Sequence, residues 1–135
     1  MAEEHVWDPL RRKEVALTPE ERVRQWFIAV LRDEVGVPTY EMMSEASLTY
    51  GGKAWRADIL VYRRDMSPAL VVECKRPDVE LDQAVLEQAL RYNLVLDVNW
   101  IVITNGRKTF IFAREINTFV PMDRLPSYDT LCRRR

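Results

Sequence analysis

Three residues of this chain combine types and spacing that could do chemistry on a phosphodiester. Asp58 is a lone acid in the apolar run 56–62, and Glu73 and Lys75 close the next one, Ala69-Leu70-Val71-Val72. Side chains alternate along a strand, so Glu73 and Lys75 share a side with Ala69 and Val71, while Leu70, Val72 and Cys74 point away. With Asp58 on a neighbouring strand, two carboxylates and one ammonium converge. Such hard oxygen ligands suit Mg²⁺, with Mn²⁺ as a substitute, because Mg²⁺ keeps several waters and takes only one or two carboxylates from a protein. The backbone carbonyl of Cys74 could add a ligand. The chemistry implied is hydrolysis by a metal-activated water, with Lys75 orienting that water or stabilising charge that grows on the phosphate. A structural reading stands beside it: acids and lysines end many strands, and Glu73 with Lys75 would then be a rim ion pair of little energetic weight.

The elements that must position these residues are legible from periodicity. Thr18-Pro19-Glu20-Glu21 opens a helix, with Thr18 as N-cap, Pro19 in the first turn and Glu21 placed to complete a capping box. Apolar residues at Val23, Phe27, Val30, Leu31 and Val35 carry it to Gly36 and Pro38. From Tyr40 the period becomes two: Tyr40 to Thr49, polar enough for an edge strand or a partly irregular one, and Trp55 to Tyr62, joined at Gly51-Gly52. Asp65-Met66-Ser67-Pro68 turns into the strand Ala69 to Lys75, completing an antiparallel meander. Leu81 to Leu96 reads as a helix buried against the sheet. Strands Trp100 to Thr104 and Thr109 to Phe112 flank Asn105-Gly106, and the passage from Ala69 to Thr104 fits a right-handed crossover onto a parallel neighbour. The expected fold class is therefore α/β (α+β), a mixed four- to five-stranded sheet flanked by helices. A single domain spans residues 1–135, with its core at about 18–113, an arm at 1–17 and a tail at 114–135, both with few regular signals.

Composition narrows the classes of function. Nearly half of the 135 residues are apolar and 30% are charged, as in a soluble globular protein. No stretch is long enough to span a bilayer and the charged opening lacks an apolar signal core, so a cytoplasmic location without membrane partners is expected. Cys74 and Cys132 suggest neither a disulfide frame nor a zinc site, and the single His5 excludes multi-histidine metal sites. A net charge of -1 argues against coating duplex DNA by bulk electrostatics, although Arg11-Arg12-Lys13, Arg63-Arg64 and Arg133-Arg134-Arg135 could make local patches. Trp7, Trp26, Trp55 and Trp100 read as core or rim, since none has a basic and aromatic cluster among its sequence neighbours.

Four pieces in order resemble the N-terminal nuclease domain of type I restriction endonuclease R subunits, a branch of the PD-(D/E)XK nuclease superfamily. They are the run 56–62 around Asp58, Val72-Glu73-Cys74-Lys75-Arg76-Pro77, Gln88-Ala89-Leu90-Arg91-Tyr92-Asn93 and Thr104-Asn105-Gly106, within a likeness extending over 18–112. The resemblance implies a restriction-endonuclease-like core in which Asp58 and Glu73 bind metal and Lys75 is the catalytic lysine. Ala57 stands where the superfamily name expects a proline. Gln88 and Tyr92 match the Gln-x-x-x-Tyr element of these domains. Their spacing of four puts them on one helical face with Leu81, Ala84 and Val95, expected to point toward the sheet. There Gln88 would support the active site or the substrate phosphate, or else be a core glutamine bonded to backbone beside a packing tyrosine. The superfamily's first helix often adds an acid to the metal site, for which Glu21 is the candidate and Glu20 the next. The function implied is a Mg²⁺-dependent DNA endonuclease in restriction, defence or DNA processing, acting as a homodimer or within a larger restriction complex. No Walker-type glycine loop occurs in the sequence, which suggests a stand-alone nuclease-like protein without a motor. The competing expectation is a nuclease-fold binding or assembly module with little or no activity.

Overall fold

The structure is a computed structural model that describes residues 3–94 and 96–133. Helix α1 (Pro19–Val30) starts where the sequence places it: the Thr18 hydroxyl accepts from the Glu21 N–H at 3.1 Å, with Pro19 in the first turn. Such a cap stabilises by about 1 kcal/mol. Only half of the expected capping box forms, because the Glu21 carboxylate turns to arginines instead of back toward Thr18. The helical path expected to Val35 is present, but its last part, Leu31–Val35, is a π-helical turn. It ends at Gly36, whose φ of 87° is a left-handed conformation that glycine adopts without a Cβ penalty.

Six strands follow in one sheet, ordered as in the sequence: β3 (Met42–Tyr50), β4 (Lys53–Tyr62), β5 (Pro68–Cys74), β6 (Trp100–Thr104), β7 (Thr109–Glu115) and β8 (Thr118–Met122). The meander β3-β4-β5 is antiparallel, β5 and β6 are parallel with α2 (Gln83–Asn93) between them, and β6-β7 is the hairpin signalled by Asn105-Gly106. As the polar sequence of β3 suggested, it is an edge strand, and Glu45 interrupts it with a φ of 52°.

Three expectations need correction. The sheet has six strands rather than four or five. Residues 118–122 belong to the tail expected to have few regular signals, but they form β8, the opposite edge of the sheet, a position that tolerates Pro121. The segment before Thr18 is a hairpin of β1 (His5–Asp8) and β2 (Lys13–Ala16), and the tail carries a short helix, α3 (Tyr128–Cys132). These elements are too short for periodicity to register. The basic clusters also change meaning. Arg63 is buried and donates to the carbonyls of Leu131 (3.0 Å) and Pro68 (2.7 Å), while Arg11 pairs with Asp8 and Glu21. Arg134 and Arg135 of the C-terminal triplet lie outside the described residues.

Strand alternation builds two cores, one on each side of the sheet. Ile59, Val61, Leu70, Val72, Cys74 and Val102 pack with Phe27, Ile28 and Leu31 on the α1 side, joined by Tyr128 and Leu131 of α3. Leu60, Val71, Ile101 and Ile103 face the other way, with Ala89 of α2. Among the described residues no helix is long and apolar enough to cross a membrane.

Candidate active site

Asp58, Glu73, Cys74 and Lys75 line one cleft of about 470 Å³, together with Glu20 and Arg56 and with Val79, Val85, Gln88, Ala89 and Tyr92. The ladder between β4 and β5 ends at the pair Ile59 and Val72, and just beyond it a side-chain bond joins the two strands. The Cys74 N–H donates to Asp58 Oδ2 at 2.7 Å. That bond fixes the carboxylate and leaves Oδ1 for another partner. β5 is meanwhile held to β6 through its end, where the Lys75 N–H donates to the Thr104 carbonyl at 2.8 Å. Glu73 and Lys75 share the α2 side, as alternation requires, and Lys75 Nζ lies 3.5 Å from Glu73 Oε2. Cys74 turns its side chain into the α1 core, so it offers main chain to the cleft. Burial, with the Asp58 charge nearby, pushes the Cys74 thiol far above its usual range, and it remains a protonated thiol at neutral pH.

Helix α2 forms the wall opposite the acids, but it is rotated from the expected arrangement. Its buried residues are Ala89 and Asn93, while Gln88 is exposed and Ala84 faces solvent. Val95 lies outside the described residues. The helix is also shorter than the expected 81–96 and less buried, because its apolar residues Val85, Leu86 and Leu90 are only half covered. Gln88 thus needs no buried partner and borders the cleft with its amide accessible. Asn93 is the residue that periodicity missed. Its side-chain amide donates to the Ala89 carbonyl at 2.8 Å and to Glu73 Oε1 at 3.5 Å. Its spacing of four from Ala89 is the available signal, and the neighbouring pair Gln88 and Tyr92 has the same spacing.

The model of the family described as "Type I restriction enzyme R protein N terminus (HSDR_N)" matches residues 19–126, four-fifths of the chain. The chain belongs to the type I restriction enzyme R protein N-terminal family. Among solved structures, a fragment described as an HsdR subunit of a type I restriction enzyme from Vibrio vulnificus YJ016 has a similar fold, with a TM-score of 0.61 and 24% identity. The match covers 83% of this chain and 24% of that one, so the chain spans about a quarter of its length. No curated protein matches significantly.

In this R-protein N-terminal fold an arginine cluster lies behind the cleft. Arg24, buried on α1, donates from Nη1 to Ser44 Oγ (3.1 Å) and to the carbonyl of Asp58 (3.4 Å), and so braces the backbone that carries the first acid. Glu21, also buried, lies 2.7 Å from Arg11 and 3.4 Å from Arg24, and accepts from Gln25 at 3.0 Å. Of the two acids that open α1, Glu20 is the one that borders the cleft. Asp8, at the end of β1, is fully buried; burial alone would raise its carboxyl, but bonds from Arg11 and the Leu10 N–H outweigh that and hold it below the usual carboxylate range. The N-terminal hairpin, which precedes the residues matched to the family, is therefore tied through Arg11 and α1 to the site. Trp55 is buried, as expected of a core or rim residue, and it is flanked by Tyr92, edge-to-face at 4.3 Å, and by the ammonium of Lys53, two positions before it, 5.0 Å over its ring.

Proposed function

We propose that the cleft is the centre of a Mg²⁺-dependent DNA endonuclease. The observation that carries this reading is the convergence of Asp58, Glu73 and Lys75 in one cleft, with each acid held by a neighbour. The donor set fits the metal. Two partly exposed carboxylates are hard oxygen ligands, the Cys74 backbone offers a carbonyl, the buried thiol excludes a soft site, and Mg²⁺ binds through few protein ligands because it retains water. Asp58 and Glu73 would hold the ion, with Glu20 better placed than Glu21 to join through water.

The chemistry supplied by Mg²⁺ when bound is Lewis acidity, which polarises a phosphate oxygen and makes water a better nucleophile. The protein's own residues do the rest. Asp58, pinned by the Cys74 N–H, and Glu73, held between Asn93 and Lys75, set the position of the reacting phosphate. The Lys75 ammonium orients the attacking water and faces the charge that develops on the phosphate. Gln88 and Arg56 on the cleft wall can donate to a non-bridging oxygen. Membership of this family supports reading the activity as restriction of DNA, and the proposal includes a cytoplasmic location and a homodimer or restriction complex that supplies the affinity a net charge of -1 does not.

The test is incubation of the pure protein with supercoiled, linear and branched DNA in Mg²⁺ or Mn²⁺, beside Asp58→Ala and Lys75→Ala. Cleavage by the wild type that both substitutions abolish is expected. Cleavage that survives both would remove this site from the mechanism, and no cleavage of any substrate would favour the binding or assembly module.

A further inference from the structure

Among the described residues that line the cleft Tyr92 is the one aromatic, and 37% of it is exposed. Its ring is held by two neighbours. Trp55, itself buried, meets it edge-to-face with centroids 4.3 Å apart, and the Tyr92 hydroxyl accepts from the Arg56 N–H at 3.2 Å. Arg56, whose guanidinium is largely exposed, lines the same cleft, and Lys53 covers the Trp55 ring. A rigid, half-open aromatic ring beside an exposed guanidinium is the chemistry that stacks a nucleobase and meets its phosphate.

The charges of the cleft point the same way. Its side chains carry two cations, Arg56 and Lys75, against three acids, Glu20, Asp58 and Glu73. Arg56 is shared with Glu45 at 3.3 Å. A duplex is held chiefly by rows of cations against both backbones, and this wall has none. Stacking needs no net charge, but it needs a base whose face is free. Within a duplex both faces are covered by neighbouring pairs.

We propose that Tyr92, braced by Trp55 and flanked by Arg56, is the seat for an unpaired nucleobase, so that the substrate presented to Asp58, Glu73 and Lys75 is single-stranded DNA, at a free end, flap or unwound segment. The proposal rests on the nuclease reading for its consequence, since the seat selects the strand that is cut. Tyr92 is thus a substrate-binding residue, and its phenolic hydroxyl serves to hold the ring.

The experiment is fluorescence anisotropy of the whole chain with a labelled oligothymidylate and with a duplex of equal length, in EDTA so that neither is cut. Charge repulsion from the acids acts on both probes, and the ratio of the two affinities is the readout. The wild type should prefer the single strand about tenfold, Tyr92→Phe should bind within about twofold of wild type, and Tyr92→Leu should lose about tenfold or more. Thermal unfolding of each variant shows whether it is folded. Tyr92→Trp provides a measurement that does not depend on the leucine variant: added oligothymidylate should quench its extra fluorescence. Equal affinity for the duplex, no binding of either probe, a folded Tyr92→Leu with unchanged affinity, or no quenching overturns the proposal. Loss in Tyr92→Phe equal to that in Tyr92→Leu also overturns it, because the ring would not be the determinant. Failure of the two readings is distinguishable. Tyr92-dependent binding without cleavage in Mg²⁺ retains the seat and rejects hydrolysis, and cleavage indifferent to Tyr92 does the reverse.

Discussion

Replacing Asp58 by asparagine and by alanine separates its two roles. In the folded protein Oδ2 accepts from the Cys74 N–H at 2.7 Å, and Cys74 is buried. Asparagine keeps an oxygen acceptor there and removes a negative charge from a cleft that also holds Glu73. Alanine removes the acceptor and leaves a buried donor unpaired, which costs roughly 1–3 kcal/mol. At about 4 °C per kcal/mol for a chain of 135 residues, Asp58→Ala should melt roughly 4–12 °C below wild type, with Asp58→Asn close to it. Added Mn²⁺ reports the other role. At a hundred times its dissociation constant a ligand stabilises by about 2.7 kcal/mol, so the wild-type midpoint should rise by roughly 10 °C. In both variants that rise should be lost. Differential scanning fluorimetry with and without Mn²⁺ reads both effects. Equal midpoints for the two variants in EDTA would refute the structural role of the Asp58 to Cys74 bond. A full Mn²⁺ response in Asp58→Asn would refute metal binding by this carboxylate.

Other outcomes follow from the groups behind the cleft. Asn93→Leu removes the buried amide between Ala89 and Glu73, and calorimetry should show Mn²⁺ affinity reduced about tenfold, as when a partner of a metal ligand is removed. Unchanged affinity would leave Asn93 a packing residue. Arg24→Met leaves the buried Glu21 with one arginine fewer and unbraces Asp58, and urea unfolding should show a loss of about 3–5 kcal/mol. A loss under 1 kcal/mol would mean that Arg11 suffices. Asp8 gives a pH dependence. Its carboxyl is depressed in the folded state, so its contribution is complete above the ordinary value of 3.8 and disappears as the pH falls below that value through the lower folded one. Acid titration followed by unfolding should show this loss in wild type and not in Asp8→Asn, and parallel curves would contradict it.

The order of helix, meander, helix and hairpin was legible because α1 and the strands β3 to β7 are long enough for the period of their apolar residues to register. The sharing of a face by Glu73 and Lys75 followed from the same alternation. What was not legible depended on distance in sequence. Arg11 and Arg63 read as surface charge, since their partners Glu21 and Leu131 are remote or lie in a segment without regular signals. Trp55 gained its aromatic partner 37 positions away, so no local pattern could reveal it. The α2 face was misjudged because Gln88 and Tyr92 share a stripe with apolar residues. Period alone does not say which stripe of a half-covered helix meets the sheet, and here it is the one carrying Ala89 and Asn93.

Glu45 carries a consequence for how the chain behaves in company. A nine-residue edge strand such as β3 is a template on which a second chain can add its own strand. Pairing with β4 passes from Ser44 and Ile59 to Ala46 and Ala57 without a partner for Glu45, whose left-handed backbone breaks the row of outward amides in the middle. The carboxylate there, held by Arg11, Arg24 and Arg56, adds a charge at the break. The same residue that gathers the arginines behind the cleft therefore discourages edge-to-edge aggregation. Protection of the soluble state and organisation of the site are encoded at one position.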